Sequence, residues 1–290
     1  MKGKAGFWVP HLGAAFSGIL DTYPNAGIAL GVRRLRDAYS GSCMRVVRAS
    51  DGAEQDIGFV SNEINTAAIA SFCSGTTGYV GIWYDQSGSG YNAKGRDYGV
   101  NLDSLPIIYE SSAVVTLNGK PAVKITHPRV FFWNEASAPL SDLCTGGASG
   151  SDKKVTAHVV GYQNSSSSSP RKIIIDGSSQ SLWFYENTNE RTEFVGTAAS
   201  SGTNFTDDTQ KAWCWQVNGN TFEWFENGGS LATSSNASAQ TPSNTGLDIT
   251  IGGQGFSTRN MEGFIQEVII WKTAESASGI YTNANDFFGF

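Results

Sequence analysis

The sequence predicts an all-β protein: a β-sandwich carrying a few short peripheral helices. Three observations lead there. Short runs rich in Val, Ile, Phe, Trp and Tyr recur from residue 79 onward. Clusters of Gly, Asn and Ser separate them. Helical periodicity is confined to brief segments, and many short strands with few helices mean a sandwich or a barrel.

Residues 1–20 hold Phe7, Trp8 and Phe16 without a clear period and read as an arm lying on a surface. Residues 21–290 contain no internal repeat and no linker, so they read as one domain. Ile28, Val32, Leu35 and Tyr39 fall at helical spacing, with Gly41 as the stop, and predict a helix there. A strand follows over 44–48, with a turn at Ser50-Asp51-Gly52. Asn65 precedes Ala67, Ala68, Ile69 and Ala70, the pattern of an N-cap and a short helix over 66–72. Strands are predicted at 79–84, 113–117, 122–125, 155–162, 172–175, 182–185, 213–217, 222–225, 248–251 and 264–271. Val217-Asn218-Gly219-Asn220 gives the clearest hairpin signal, because Asn-Gly suits a type I′ turn. A closing helix runs from Ala274 to about Asp286.

Charged residues make up only 16% of the chain, so its surface leans on Ser, Thr, Asn and Gly. A net charge of −6 argues against nucleic acid as partner, since phosphate binding needs clustered Lys and Arg. Arg33, Arg34, Arg36, Arg45 and Arg48 form the one basic cluster and read as a solvated face. No apolar run approaches the ~20 residues that span a bilayer, so no membrane insertion is expected. The N-terminus lacks the apolar stretch of a signal peptide. Cys43, Cys73, Cys144 and Cys214 lack metal-ligand spacing and are expected as buried free thiols. His11, His127 and His158 show no zinc spacing, and neither a cofactor nor a metal is predicted.

The run Leu35-Arg36-Asp37-Ala38-Tyr39-Ser40-Gly41, followed by Met44 to Gly52, resembles the catalytic domain of the α-L-arabinofuranosidase B family. So do Phe72-Cys73-Ser74-Gly75-Thr76-Thr77, the block from Trp83 to Ala93, and Val115 to Ala122. The C-terminal blocks 217–219, 247–253 and 261–271 resemble the last strands of laminin-G-like and concanavalin-A-like sandwiches. Both sets together are similar to bacteriophage tail, fibre and surface proteins. The resemblances imply a concanavalin-A-like (jelly-roll) sandwich.

A retaining glycosidase uses two carboxylates, a nucleophile and an acid/base. The arabinofuranosidase resemblance places the nucleophile at Glu186, in Phe184-Tyr185-Glu186-Asn187, and the acid/base at Gln254, after Gly252-Gly253. An amide carries no proton to the leaving oxygen. Where the family continues from Thr-Thr into a cysteine that pairs with the earlier one, this chain has Gly78, so Cys73 lacks that partner. Asp85 in Tyr84-Asp85-Gln86-Ser87-Gly88 reads as the cap of a structural turn. The expectation is therefore a non-enzymatic bacteriophage virion or adhesion protein, homo-oligomeric, contacting virion proteins or cell-surface glycans, and located on the particle or otherwise secreted. An arabinofuranosidase-like hydrolase using Glu186, or a free carbohydrate-binding module, is the alternative. Aromatic faces stack on sugars, so the glycan-binding candidates are Trp133, Asn134, Trp183, Tyr185, Trp213, Trp215 and Trp224.

Overall fold

The computed structural model describes residues 17–126, 132–134, 143–144, 152–164, 171–177, 183–187, 191–194, 197–200, 208–234, 249–253 and 261–290. The expected arm over 1–20 lies almost wholly outside these residues, as do His11, His127 and Gln254. In chain order the strands are β1 (Ala26–Gly31), β2 (Met44–Arg48), β3 (Glu54–Ile57), β4 (Phe59–Val60), β5 (Glu63–Ile64), β6 (Gly78–Trp83), β7 (Ala93–Gly95), β8 (Ile107–Glu110), β9 (Ala113–Val114), β10 (Thr116–Leu117), β11 (Lys120–Pro121) and β12 (Val123–Ile125). They continue as β13 (Phe132–Asn134), β14 (Lys154–Gln163), β15 (Arg171–Gly177), β16 (Trp183–Asn187), β17 (Arg191–Phe194), β18 (Thr197–Ser200), β19 (Gln210–Asn218), β20 (Thr221–Glu226), β21 (Gly229–Ser234), β22 (Ile249–Ile251) and β23 (Gly263–Trp271). Helices are short: α1 (Ile19–Thr22), α2 (Thr66–Phe72) and α3 (Ala277–Phe288).

Among the described residues every ladder is antiparallel. One layer runs β3·β2·β6·β7·β13·β22·β15·β16. The other runs β23·β14·β19·β20·β21, with β1 and β12 sharing the outer edge of β23. The layers stay joined where β8, paired to β6, meets β12 at Lys124↔Ile107. This is the predicted β-sandwich.

The period of two decides what each strand buries. On β23, Val268 and Ile270 enter the main core with Trp83, Phe132, Val159, Trp213 and Trp215. Ile269 and Trp271, the alternate residues, enter a second core with Ile19, Leu20, Leu35 and Ile280, roofed by α1 and α3. Glu267 is fully buried next to them. Arg33 holds it through Nε at 2.6 Å and Nη2 at 3.1 Å. The Nε2 atom of His158 lies 3.5 Å away, at the limit of hydrogen bonding. Burial alone would raise the Glu267 pKa, but the charge of Arg33 and the His158 and Arg33 contacts outweigh it and hold the carboxyl down at about 2.

Several expectations change. The apolar spacing at 28–39 belongs to β1 and an irregular segment, not to a helix. All six residues of β1 are buried, and a strand buried on both faces carries no alternation to set it apart from a helix. One edge of β1 pairs with β23. The other is served by the Asp85 turn, whose side chain accepts from Ala29 N at 2.8 Å, Ser87 N at 3.0 Å and Gly90 N at 2.9 Å. Gly88 and Gly90 take φ of +94° and +79° there, so Asp85 is the structural cap the sequence indicated. Arg33 of the expected solvated cluster is buried against Glu267, whereas Arg45 and Arg48 are partly exposed in ion pairs with Asp56 and Asp51. The hairpin after β19 turns on Gly219-Asn220, with positive φ at Gly219 alone, so it is not the type I′ turn of Asn218-Gly219. That geometry occurs at Asn118-Gly119, where φ is +50° and +73°. The amide of Asn118 then donates to Phe288 O and Gly289 O, fastening the end of α3. Helix α2, capped by Asn65, falls where predicted, and the closing helix begins later, at Ala277 behind an N-cap Ser276. All four cysteines are buried and free.

Candidate functional site

Cross-strand partners lie on one face of a sheet, so the register identifies which residues share a surface. One row crosses the first layer from edge to edge: Asp56, Arg45, Ile82, Lys94, Trp133, Thr250, Asp176 and Trp183. The flanking rows run through Met44, Trp83 and Ala93 on one side and through Phe132 and Ile251 on the other, all buried. Arg45 and Asp56, in contrast, keep 33% and 40% of their side chains exposed. Arg45 and Asp56 therefore mark the outer face of the layer, Ile82 beside them is buried, and the register carries the line on to Trp183.

Its described end is a tightly bonded polar cluster. Arg45 grips Asp56 with two bonds, Nε to Oδ1 at 2.7 Å and Nη2 to Oδ2 at 2.9 Å. The Tyr84 hydroxyl donates to the same Oδ1 at 2.8 Å. The hydrogen bond from Arg45 lowers the Asp56 pKa, while burial and the Asp56 bond raise that of Tyr84. At neutral pH, Asp56 is then an ionised acceptor and Tyr84 a donor, an arrangement that fixes groups but moves no proton. Lys94 sits with Nζ 5.4 Å from the centroid of Tyr98, a cation–π contact. Among the described residues no group of three or more His, Cys, Asp or Glu could hold a metal ion.

The structure divides the glycan-binding candidates. Trp133 and Trp183 occupy positions in the one row, and Tyr185, two residues along β16, follows the alternation of Trp183. Asn134 falls in the neighbouring row opposite Ala93, so it does not share a face with Trp133. Trp213, Trp215 and Trp224 are 1%, 0% and 0% exposed. They fill the sandwich core and offer no ring to a sugar in solution. Their alternation on β19 is real, but the strand is covered on both sides. Glu186 alternates with Trp183 and Tyr185 and takes the register set of Phe184, whose row continues through Ile175 to buried Ile251. Gln254 lies outside the described residues. Sequence reasoning missed Asp176 and Lys94, which only the register brings into the row; neither stands in a motif that marks it.

The class defined by this fold is a β-sandwich of the type found in arabinofuranosidases. A crystal structure of arabinofuranosidase complexed with arabinofuranosyl-α-1,2-xylobiose superposes on 89% of the chain and 62% of its own, with a TM-score of 0.62 at 16% identity. A mutant GH54 α-L-arabinofuranosidase soaked with 4-nitrophenyl α-L-arabinofuranoside gives 0.64 at 15% identity over the same shares. At these identities the likeness is one of fold.

The sequence narrows the class. Residues 22–149 match the family model for the catalytic domain of α-L-arabinofuranosidase B. A probable α-L-arabinofuranosidase B of Aspergillus fumigatus is 37% identical over 124 residues, 40% of this chain and 24% of that protein. An arabinofuranosidase/B-xylosidase of Trichoderma koningii is 35% identical over 113 residues, covering 37% and 23%. The matched stretch thus spans about a quarter of the length of these relatives. These findings overturn the expectation of a non-enzymatic bacteriophage virion protein. The matched family, the relatives and the solved structures above are all arabinofuranosidases, and nothing supports a virion location. That expectation gave the amide at position 254 more weight than the sequence blocks that carry the resemblance.

Proposed function

We propose that the chain is a glycoside hydrolase of the arabinofuranosidase type that releases α-L-arabinofuranosyl groups from glycans. The match of residues 22–149 to the catalytic family is the observation that carries this reading. The outer row supports it by register, which brings the positions of Trp133, Trp183, Asp176 and Lys94 into one line across the layer, residue types that suit a sugar. Glu186 is the nucleophile candidate by the resemblance; it stands on the register set opposite to Trp183 and Tyr185, so the outer row would hold a part of the glycan other than the ring under attack. Position 254 lacks the acid, so a leaving group that departs without a proton should react far better than a sugar alcohol. By analogy with its fungal relatives the chain works outside the cell.

The test is 4-nitrophenyl α-L-arabinofuranoside with wild type, Glu186→Gln and Gln254→Asp. Slow release by wild type, none by Glu186→Gln, and a gain of ~10²–10⁴-fold on unactivated arabinosides in Gln254→Asp are expected. No release by wild type and by Gln254→Asp alike refutes the reading.

A further inference from the structure

Beyond the edge strand β3 a cleft of about 520 Å³ opens between two segments, lined by Arg34, Tyr39, Ser40, Ser42, Phe59 and Ser61 together with Gly41 and Gly58. Its volume lies within the ~300–1,000 Å³ of small-ligand sites. Its residues are separate from the row described above.

The cleft is preformed, because backbone bonds pin both walls. Cys43 N donates to Ile57 O at 2.7 Å, Arg34 N to Asn62 O at 2.8 Å and Asn65 N to Gly58 O at 3.0 Å. One side is aromatic: Tyr39 and Phe59 meet edge to face at 6.2 Å, and the Tyr39 hydroxyl is fixed by donating to Ser42 O at 2.9 Å. Ser61 opens the two-residue link between β4 and β5 at φ +55°, a conformation uncommon for a residue with a side chain, and it sets a hydroxyl at the rim. Among the described residues Ser40, Ser42 and Ser61 make no side-chain hydrogen bond. Arg34 is the only charged residue of the lining. Its Nη2 donates to Asn62 Oδ1 over a long 3.4 Å and lies 3.6 Å from Asp37 Oδ1. A carboxylate ligand can displace contacts of that length, and guanidinium binds carboxylate in a two-bond fork.

Three uncommitted hydroxyls, an aromatic wall and one guanidinium together match a ring that carries hydroxyls, C–H faces and one negative charge. We propose that this cleft is a second carbohydrate site that takes a uronic acid residue of a glycan. It reaches beyond the hydrolase reading: a glycan held here by an acidic residue is tethered while other parts of it meet the outer row.

The test is calorimetric titration at low salt with methyl β-D-glucuronide, in parallel with methyl β-D-glucoside and with acetate. The glucuronide should bind, and the glucoside and acetate should bind at least about tenfold more weakly. Arg34→Gln should lose about tenfold or more, the scale of a charge-assisted pair. Ser40→Trp, at an exposed rim position, should block the cleft while the thermal melt of the chain is unchanged. Equal binding of glucoside or acetate, binding unchanged in both variants, or no binding of the glucuronide overturns the proposal. Release of nitrophenol from the aryl arabinoside is measured separately. Binding without release sinks only the hydrolase reading, and release without binding sinks only the cleft.

Discussion

Gly78 stands where the arabinofuranosidase resemblance has a cysteine, and the backbone still holds the shape of the missing bridge. A Cβ built on Gly78 would lie 2.5 Å from Cys73 Sγ and 3.1 Å from Tyr109 Cβ. Across a disulfide those two atoms are separated by about 3 Å, so Gly78→Cys needs a shift of only a few tenths of an ångström. The left-handed region is not involved at this position. Closing the six-residue loop 73–78 should stabilise the fold by about 2 kcal/mol through lost entropy of the unfolded chain. With ~2.1 cal/mol/K of unfolding entropy per residue near 60 °C, that is a rise of about 3–4 °C in Tm. Burial raises the Cys73 thiol to about 11, with Arg48 opposing, so little thiolate is present and an added oxidant such as diamide is required. The measurement is a thermal melt with and without dithiothreitol, together with peptide mapping of the bridge by mass spectrometry. Gly78→Ala is the control: its methyl meets the same sulfur with no bond to form, and it should melt below wild type. Five alkylatable thiols in oxidised, denatured Gly78→Cys, or identical melts with and without reductant, would show that the register between α2 and β6 is not as described.

Asp85→Ala removes the acceptor for Ala29 N, Ser87 N and Gly90 N, and should cost about 3–5 kcal/mol in urea unfolding; a loss below 1 kcal/mol refutes the turn's role as the second edge of β1. Glu267, whose folded pKa of about 2 lies below its ordinary 4.5, contributes stability that is complete above about pH 5. That contribution, on the order of 3 kcal/mol, fades as pH falls toward 2. Glu267→Gln should flatten the stability curve over that window, and an unchanged acid limb counts against the Arg33 pairing. Trp215→Ala should destabilise by ~3–5 kcal/mol as a core truncation, whereas Trp133→Ala should leave urea stability within about 1 kcal/mol and weaken glycan binding on affinity electrophoresis. The reverse pattern would exchange the roles of core and row.

What the sequence reveals of this molecule follows from how local each signal is. Helix α2 is legible because its cap, Asn65, and its apolar run are neighbours in the chain. The Asp85 turn is legible for the same reason, since Asp85, Gly88 and Gly90 all serve one loop. Strand β1 is not, because its two faces are buried by two different cores, Ile28 and Leu30 in one and Ala26 and Ala29 in the other, and most residues of both lie far along the chain. The tryptophans show the same limit. Alternation on β19 correctly puts Trp213 and Trp215 on one face, but only the layer stacked over it reveals that the face is closed. The outer row is less legible still. It is assembled from eight strands, one residue from each, and no spacing within any single segment reports it.

Several residues in the blocks that carry the family resemblance have scaffold duties. The amide of Gln86 accepts from Leu35 N and donates to Gly31 O and Arg33 O, Cys73 lies against Gly78, and Asn118 fastens α3. Leu35, Gln86, Cys73, Gly78 and Asn118 all fall within residues 22–149, the range of the family match. A match over that range covers the means of building the sandwich, which do not depend on the chemistry. The proposed chemistry depends instead on Glu186 and position 254, both beyond the matched stretch. A chain can therefore keep the arabinofuranosidase fold while holding an amide at the acid position. Restoring the acid with Gln254→Asp is then the sharper experiment, because it asks whether the rest of the catalytic geometry is still standing.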